Sequence, residues 1–282
     1  MPLLPGGRIA VPWYRWPHTT IAAGWLLGPV ARRVQRRLRI DPRKGWEAER
    51  RLADSVMRHL KVRLSVGGSV PGAGPYMVVS LHEGFADALA LTRLPLHLWF
   101  SARDELFDDW PWLGRHLIAH QAANIPTAKP AVGYRRLLRG AAAAVNAGLS
   151  PTVFAQGSIL GLEVALKEGA FRVASRLKLP ILPVAVTGSH RVWEWPYSPT
   201  LRYGCTVTMA VLPAVDPPSR EDTAAVAVAV GRSLRAAALG RGMAAPRRFL
   251  PARDGFWDGY DYTIDPDFPD LADEVRRHRQ GS

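Results

Sequence analysis

The sequence predicts an α/β fold in which a mostly parallel, mixed sheet is flanked by helices. Two short apolar runs, residues 76–80 and 181–187, have the length and composition of buried strands. Segments with helical spacing lie between the predicted strands, and this alternation is typical of parallel sheets. The chain has 282 residues and no long polar linker, which favours one sizeable core. We predict an N-terminal segment over residues 1–45, a main domain over residues 46–240 and an acidic, aromatic tail over residues 241–282.

The spacing of apolar residues predicts the elements in chain order. Ala48, Leu52, Val56 and Leu60 recur at helical spacing. The glycines of residues 67–75 precede a strand rather than a helix, which predicts a turn and not a phosphate-binding loop. The predicted helices cover residues 46–60, 86–94, 134–147, 165–178 and 223–238. The predicted strands cover residues 62–66, 76–80, 152–155, 181–187 and 206–212.

The N-terminal segment has the composition of a membrane-surface element. The formal net charge of the chain is +13 and comes mostly from arginine, so we expect an anionic partner. Residues 19–31 are apolar, too short to span a bilayer, and lead into a cluster of arginines rather than a signal-peptide cleavage site. This order predicts an N-terminal amphipathic helix on an anionic membrane surface. We expect a peripheral protein on the cytoplasmic face of the cell membrane.

Two alternatives compete with this interpretation. The N-terminal helix could pack on its own domain with a solvated basic face. The basic residues could also bind nucleic acid, but they are not part of a recognisable nucleic-acid-binding module, so we expect no nucleic-acid partner.

The cysteine and histidine content predicts no metal site. Cys205 is the only cysteine, which excludes an intrachain disulfide and a cysteine-based zinc site and is typical of a reducing compartment. His97, His116 and His120 are neighbours in sequence but have no acidic partner at metal-ligand spacing. The oligomeric state cannot be predicted from these features.

His82 and Asp87 are the candidate catalytic pair. The predicted strand over residues 76–80 ends just before His82, and Asp87 falls in the first turn of the next predicted helix. A turn between them allows the carboxylate to accept a hydrogen bond from the imidazole. That bond sets the tautomer and stabilises the imidazolium that forms when the other ring nitrogen removes a proton. The alternative is a partly buried histidine with a local acidic partner and no catalytic role.

Further along the chain, three segments resemble motifs of the 1-acylglycerol-3-phosphate (lysophospholipid) acyltransferase family, glycerolipid acyltransferases with an H-x-x-x-x-D motif. Residues 154–158, Phe-Ala-Gln-Gly-Ser, resemble that family's Phe-Pro-Glu-Gly-Thr block. Residues 167–172 resemble its Lys-x-Gly-Ala-Phe helix, and residues 179–186 resemble its Val-Pro-x-x-Pro-Val strand. The order of the blocks, counted with His82 and Asp87, is also that of the family, and four ordered blocks are more specific than one.

The resemblance implies a glycerol-3-phosphate acyltransferase-like fold and acyl transfer to a lipid hydroxyl. The donor would be acyl-CoA or acyl carrier protein as co-substrate, with membrane lipids as partners and no bound cofactor. His82 would act as the general base, Asp87 would orient it, and no acyl-enzyme would form. Gly157 and Ser158 would line the polar head of the acceptor. A Ser-His-Asp hydrolase is the alternative, but Ser158 directly follows a glycine, which is not the G-x-S-x-G arrangement.

Three positions depart from the family pattern and concern the acceptor. Gln156 replaces the family's acidic residue, and Ile159 replaces its arginine. Residues 124–129 occupy the place of a Gly-x-x-Phe-x-x-Arg block, so Lys129 is the candidate replacement for the phosphate-binding arginine. We therefore predict substrate contacts from Lys129, Gln156, Gly157 and Ser158, with a lysophospholipid or related lipid alcohol as acceptor. The second hypothesis is a catalytically weakened lipid-binding or scaffold protein on the same fold.

Overall fold

The computed structural model describes residues 3–4, 8–9, 36, 42–84, 86–104, 107, 122–126, 129–193, 202–254 and 262–280. The amphipathic helix predicted within residues 1–45 lies outside these residues, apart from a few positions. Two of the histidines considered above, His116 and His120, also lie outside them.

The strands and helices alternate along the chain as predicted. The strands are β1 (Leu3–Leu4), β2 (Arg8–Ile9), β3 (Arg63–Gly67), β4 (Met77–Ser80), β5 (Leu98–Arg103), β6 (Ala123–Ile125), β7 (Ser150–Phe154), β8 (Ile181–Thr187) and β9 (Thr206–Val211). The helices are α1 (Pro42–His59), α2 (Ala86–Leu91), α3 (Pro130–Asn146), α4 (Gly169–Leu177), α5 (Thr223–Ala238), α6 (Pro251–Asp254) and α7 (Pro269–Gln280). A 3₁₀ turn, Ser189–Arg191, follows β8.

The main sheet has the strand order β3-β9-β8-β4-β7-β5-β6. Strands β4 to β8 run parallel to one another, whereas β9 is antiparallel to β8 and β3 is parallel to β9. Strand β4 is central, so the loop that follows it lies between those after β7 and β8. This arrangement confirms the predicted mostly parallel, mixed sheet flanked by helices.

Two hydrophobic cores cover the two faces of the sheet. Val78 packs with residues of α1 and α2 on one face, while Met77 and Val79 pack with residues of α3, α4 and α5 on the other. Successive side chains of a strand point to opposite faces, which explains the alternation. Strand β4 is buried on both faces, as its continuous apolar sequence predicts.

Several predicted boundaries were wrong. The helix predicted over residues 165–178 begins only at Gly169, because the N–H of Ala165 donates to Thr263 O and the N–H of Lys167 donates to Ala155 O. Helices α1 and α3 begin four residues earlier than predicted, at Pro42 and Pro130. Proline is favoured in the first turn of a helix, where its missing N–H costs no hydrogen bond.

Strands β5 and β6 were not predicted, because neither shows a distinct apolar period. Trp99 of β5 is buried, and a Cβ atom on Gly140 of α3 would lie 2.5 Å from its ring. Its role is core packing.

The segment after residue 240 packs onto the main domain wherever the structure describes it. Phe249, Tyr262, Ile264 and Val275 form a third buried cluster with Leu160 and Val164 of the loop after β7. Ion pairs of α5 add to this contact, since Arg235 bonds Asp265 at 2.7 Å and Asp267 at 3.0 Å. The predicted tail therefore contributes to the surroundings of the candidate site.

Candidate active site

His82 lies in the loop that follows the central strand β4, at the carboxyl end of the parallel strands. In open α/β sheets, ligands bind outside the carboxyl ends of the strands. The ring of His82 stacks on Phe154, the last residue of β7, with centroids 4.1 Å apart and planes inclined by 13°. The side chain is 21% exposed, so the imidazole is held by packing yet accessible to a substrate.

Asp87 holds the imidazole as the sequence predicted. The Oδ2 atom of Asp87 lies 2.8 Å from His82 Nδ1 and also accepts hydrogen bonds from the N–H groups of Glu83, at 2.6 Å, and Gly84, at 2.9 Å. The carboxylate is fully buried at the start of α2. Because a carboxylate oxygen surrounded by N–H groups can only accept, Nδ1 carries the proton and Nε2 is left to act as a base.

Gln156 braces the His82 loop from the loop after β7. Its Oε1 accepts a hydrogen bond from the backbone N–H of His82 at 2.9 Å, and its Nε2 donates to Gly161 O at 2.6 Å and Val164 O at 3.2 Å. The residue is 1% exposed. The amide of Gln156 is thus occupied by the protein, and its predicted head-group contact stays a prediction. Glutamine suits this position since it presents an acceptor to one loop and donors to another.

Gly157 and Ser158 are partly exposed in the loop after β7, where the resemblance placed them. Gly157 has a φ of +79°, and a Cβ atom there would lie 3.1 Å from the side chain of Lys167. Arg103, at the end of the neighbouring strand β5, donates to Gly157 O at 3.2 Å. Two cationic side chains therefore border Gly157.

Arg103 and Lys167 were not among the predicted site residues. Arg103 could have been identified as a cation at the end of a strand next to β7. It was missed because β5 was not predicted. Lys129 is exposed at the beginning of α3, which follows the neighbouring strand β6. The β7 side of His82 thus carries three cationic side chains, those of Arg103, Lys129 and Lys167.

The β8 side of His82 is connected to it through Glu83. The Glu83 carboxylate accepts hydrogen bonds from the N–H groups of Gly188, at 2.8 Å, and Arg247, at 2.9 Å, and its Oε2 lies 3.1 Å from His190 Nδ1. Burial raises the pKa of the Glu83 carboxyl above its ordinary value, and the charge of Asp87 acts in the same direction, whereas the hydrogen bonds from His190 and Arg247 lower it. Glu83 thus joins the His82 loop to the end of β8 and to the C-terminal segment.

Comparison with known proteins supports an acyltransferase domain in the central part of the chain. Residues 61–187 match the model of the Acyltransferase family, and this span contains His82, Asp87 and the loop after β7. The family match and the relatives described next support an acyltransferase of this type. Members of this family are enzymes.

Two named proteins are similar to this acyltransferase. The 1-acyl-sn-glycerol-3-phosphate acyltransferase of Bacillus subtilis (strain 168) is 27% identical over 139 residues, which represent 46% of this chain and 68% of that protein. The crystal structure of the 1-acyl-sn-glycerophosphate (LPA) acyltransferase PlsC from Thermotoga maritima has a TM-score of 0.61 at 17% identity. That match covers 79% of this chain and 93% of the other, and it establishes a shared fold.

The described part of this acyltransferase shows neither a metal site nor a spanning helix. Within those residues, no three histidine, cysteine, aspartate or glutamate side chains are arranged to hold a metal ion. No helix there has both the length and the apolarity needed to cross a bilayer.

Proposed function

We propose that the protein transfers a fatty acyl group from acyl-CoA or acyl carrier protein to a hydroxyl of a lysophospholipid or related lipid acceptor. The observation that carries this proposal is the His82–Asp87 pair, at hydrogen-bond distance and at the carboxyl end of the central strand. The family match and the relatives named for glycerolipid acyl transfer support the same reaction class.

In the proposed reaction, Nε2 of His82 removes the proton from the acceptor hydroxyl. The resulting oxygen attacks the thioester carbonyl, the new ester bond forms, and the carbon–sulfur bond breaks. The imidazolium then gives its proton to the departing thiolate, while the Asp87 carboxylate stabilises the cation between these steps. No acyl-enzyme is required. Ser158 makes no hydrogen bond to His82, which disfavours a serine nucleophile.

The β7 side of His82 is the proposed acceptor side. Arg103, Lys129 and Lys167 offer positive charge there, and Gly157 leaves its backbone open to approach. Arginine binds phosphate through paired hydrogen bonds, whereas lysine acts as a point charge. A phosphate-bearing lysolipid therefore suits this side. A net charge of +13 further supports peripheral binding to an anionic membrane, and we place the protein on the cytoplasmic face.

The test is an acyl-transfer assay with long-chain acyl-CoA, acyl carrier protein thioesters and a panel of lysophospholipids, with the products identified by mass spectrometry. Positioned proton transfer contributes about 10²- to 10⁴-fold to a rate, so we expect His82→Ala to lose at least that factor while remaining folded. Absence of turnover with every pair in the wild type would instead support the lipid-binding scaffold. Full turnover in His82→Ala would exclude His82 as the base.

A further inference from the structure

An arginine-lined cleft opens on the β8 side of His82. It has a volume of about 240 Å³ and is lined by His190, Arg191, Arg202, Arg247, Arg248, Leu250 and Arg253. We call this the arginine cleft. Its residues come from the end of β8, the segment before β9 and the C-terminal segment.

Among the residues that the structure describes, ion pairs are formed by some of the arginines of the cleft and not by others. Asp254, fully buried, bonds Arg247 at 2.5 Å and Arg253 at 3.0 Å, and these contacts fix both guanidinium groups in place. Glu163 pairs with Arg248. Asp254 and Glu163 thus pair with three of the arginines that line the cleft.

The remaining two arginines have no acidic partner among the described residues. Arg191 and Arg202 are exposed, and within the residues that the structure describes neither guanidinium forms an ion pair. Several like charges held at one cleft repel one another, so their grouping favours a bound anion. Guanidinium groups bind phosphate oxygens in a planar fork, which makes phosphate the best-suited anion.

The position of the arginine cleft relates it to the reaction. His190 lines the cleft and contacts Glu83, the residue next to His82. The 3₁₀ turn also packs tightly on the His82 loop, since a Cβ atom on Gly84 would lie 2.9 Å from the backbone of Ser189 and His190. The cleft therefore borders the His82 loop through the contact between His190 and Glu83. It lies on the opposite side of His82 from Arg103, Lys129 and Lys167.

We infer that the arginine cleft binds the phosphate groups of a coenzyme A thioester, the acyl donor. This inference rests on the proposed function and selects between its two donors. Acyl transfer brings together two substrates at one base, and two cationic regions flank His82. The acceptor takes the β7 side, which leaves the arginine cleft for the donor. Coenzyme A carries a diphosphate and a ribose phosphate, whereas the prosthetic group of a carrier protein has one phosphodiester, so several arginines suit coenzyme A better.

The experiment measures binding of free coenzyme A by calorimetry to the full chain, in parallel with 3′-dephospho-coenzyme A and with pantetheine, which has no phosphate. The test variant is Arg191→Gln with Arg202→Gln. The matched control is Arg176→Gln with Arg220→Gln, which removes the same charge from two exposed arginines elsewhere. One charged hydrogen bond is worth a factor of about ten or more, so we expect the test variant to bind coenzyme A at least about tenfold more weakly. The affinity of the control variant for coenzyme A should equal that of the wild type. The affinity for pantetheine should be the same in all three proteins.

Three results would overturn the inference. These are no measurable binding of coenzyme A to the wild type, equal affinity in wild type and test variant, and equal weakening in test and control variants. Vesicles containing phosphatidylglycerol form a further arm: if the test variant loses vesicle binding but keeps its affinity for coenzyme A, the cleft recognises a lipid headgroup instead. Because binding is measured without turnover, an inactive wild type that binds coenzyme A through these arginines refutes the proposed function and not the cleft.

Discussion

The two sides of His82 are both cationic but are built in different ways. On the β7 side, Arg103 and Lys167 border a loop that lies within the span matched by the family model. On the β8 side, the arginine cleft is formed by residues 190–253, all beyond residue 187, where that match ends. His82 and the β7 side thus lie within the span matched by the family model, whereas the β8 side depends on the packing of segments that follow it.

Asp87→Asn should have the largest effect, because Asp87 holds the His82 imidazole, at which the substrates of both sides would react. An asparagine keeps the size of the side chain but loses the charge that stabilises the imidazolium. We expect the turnover number to fall by about 10²- to 10⁴-fold with either substrate varied. Steady-state kinetics and a urea unfolding curve measure the two properties, and near-normal turnover would remove Asp87 from the mechanism.

Gln156→Glu tests the β7 side by restoring the residue that the family carries. At neutral pH the carboxylate would face the carbonyls of Gly161 and Val164 without a proton to donate. Leaving a buried charged group unsatisfied costs about 3 kcal/mol or more, so we expect a loss of that size in the free energy of unfolding. The loss should shrink at acid pH, where a protonated carboxyl can donate. Equal stability of variant and wild type across pH would contradict the bracing role of Gln156.

Gly84→Ala tests the contact between the His82 loop and the β8 side. The added methyl would lie 2.9 Å from the backbone of the 3₁₀ turn, which must shift. We expect a loss of about 1–3 kcal/mol in the free energy of unfolding, with weaker coenzyme A binding. Gly169→Ala is the control, because a Cβ atom there meets nothing within 4 Å. Unfolding curves measure the stability and calorimetry measures coenzyme A binding. If Gly84→Ala changes neither, the His82 loop and the 3₁₀ turn are not coupled.

Arg103→Gln should distinguish the two substrates. The arginine borders the proposed acceptor side, and a lost charged hydrogen bond to phosphate reduces affinity about tenfold or more. We expect KM for the lysophospholipid to rise by about that factor while KM for the acyl donor stays unchanged. The opposite selectivity would exchange the assignment of the two sides.

Asp267→Asn should have the smallest effect and concerns the anchoring of the C-terminal segment. The hydrogen bond from Arg232 lowers the pKa of Asp267 from 3.8 to about 2. A carboxyl whose pKa is lowered on folding stabilises the protein above its unfolded pKa and loses this contribution as pH falls. The stability difference between wild type and variant should therefore be present at neutral pH and disappear between pH 3.8 and about 2. A difference that is constant with pH would exclude the ion pair as its cause.

Local patterns in the sequence predicted the contact between His82 and Asp87. His82 and Asp87 are five residues apart and meet across one strand-to-helix turn, so their contact depends on few other residues. The role of Gln156 was missed because its partners, Gly161 and Val164, lie in a loop whose path no periodicity encodes. Arg103 was missed together with β5, since the strand order that brings it to Gly157 is a property of the whole sheet.

The sequence by itself determined the alternation of strands and helices, the contact between His82 and Asp87, and the resemblance to acyltransferases. Each depends on spacing within a short segment, where hydrogen bonds and apolar periods are local. Only the tertiary structure decided that Gln156 is a buried brace, that Glu83 links three segments, and that arginines from residue 191 to residue 253 share one cleft. Those contacts join residues far apart in the chain, and they form only when sheet order and loop packing bring the segments together.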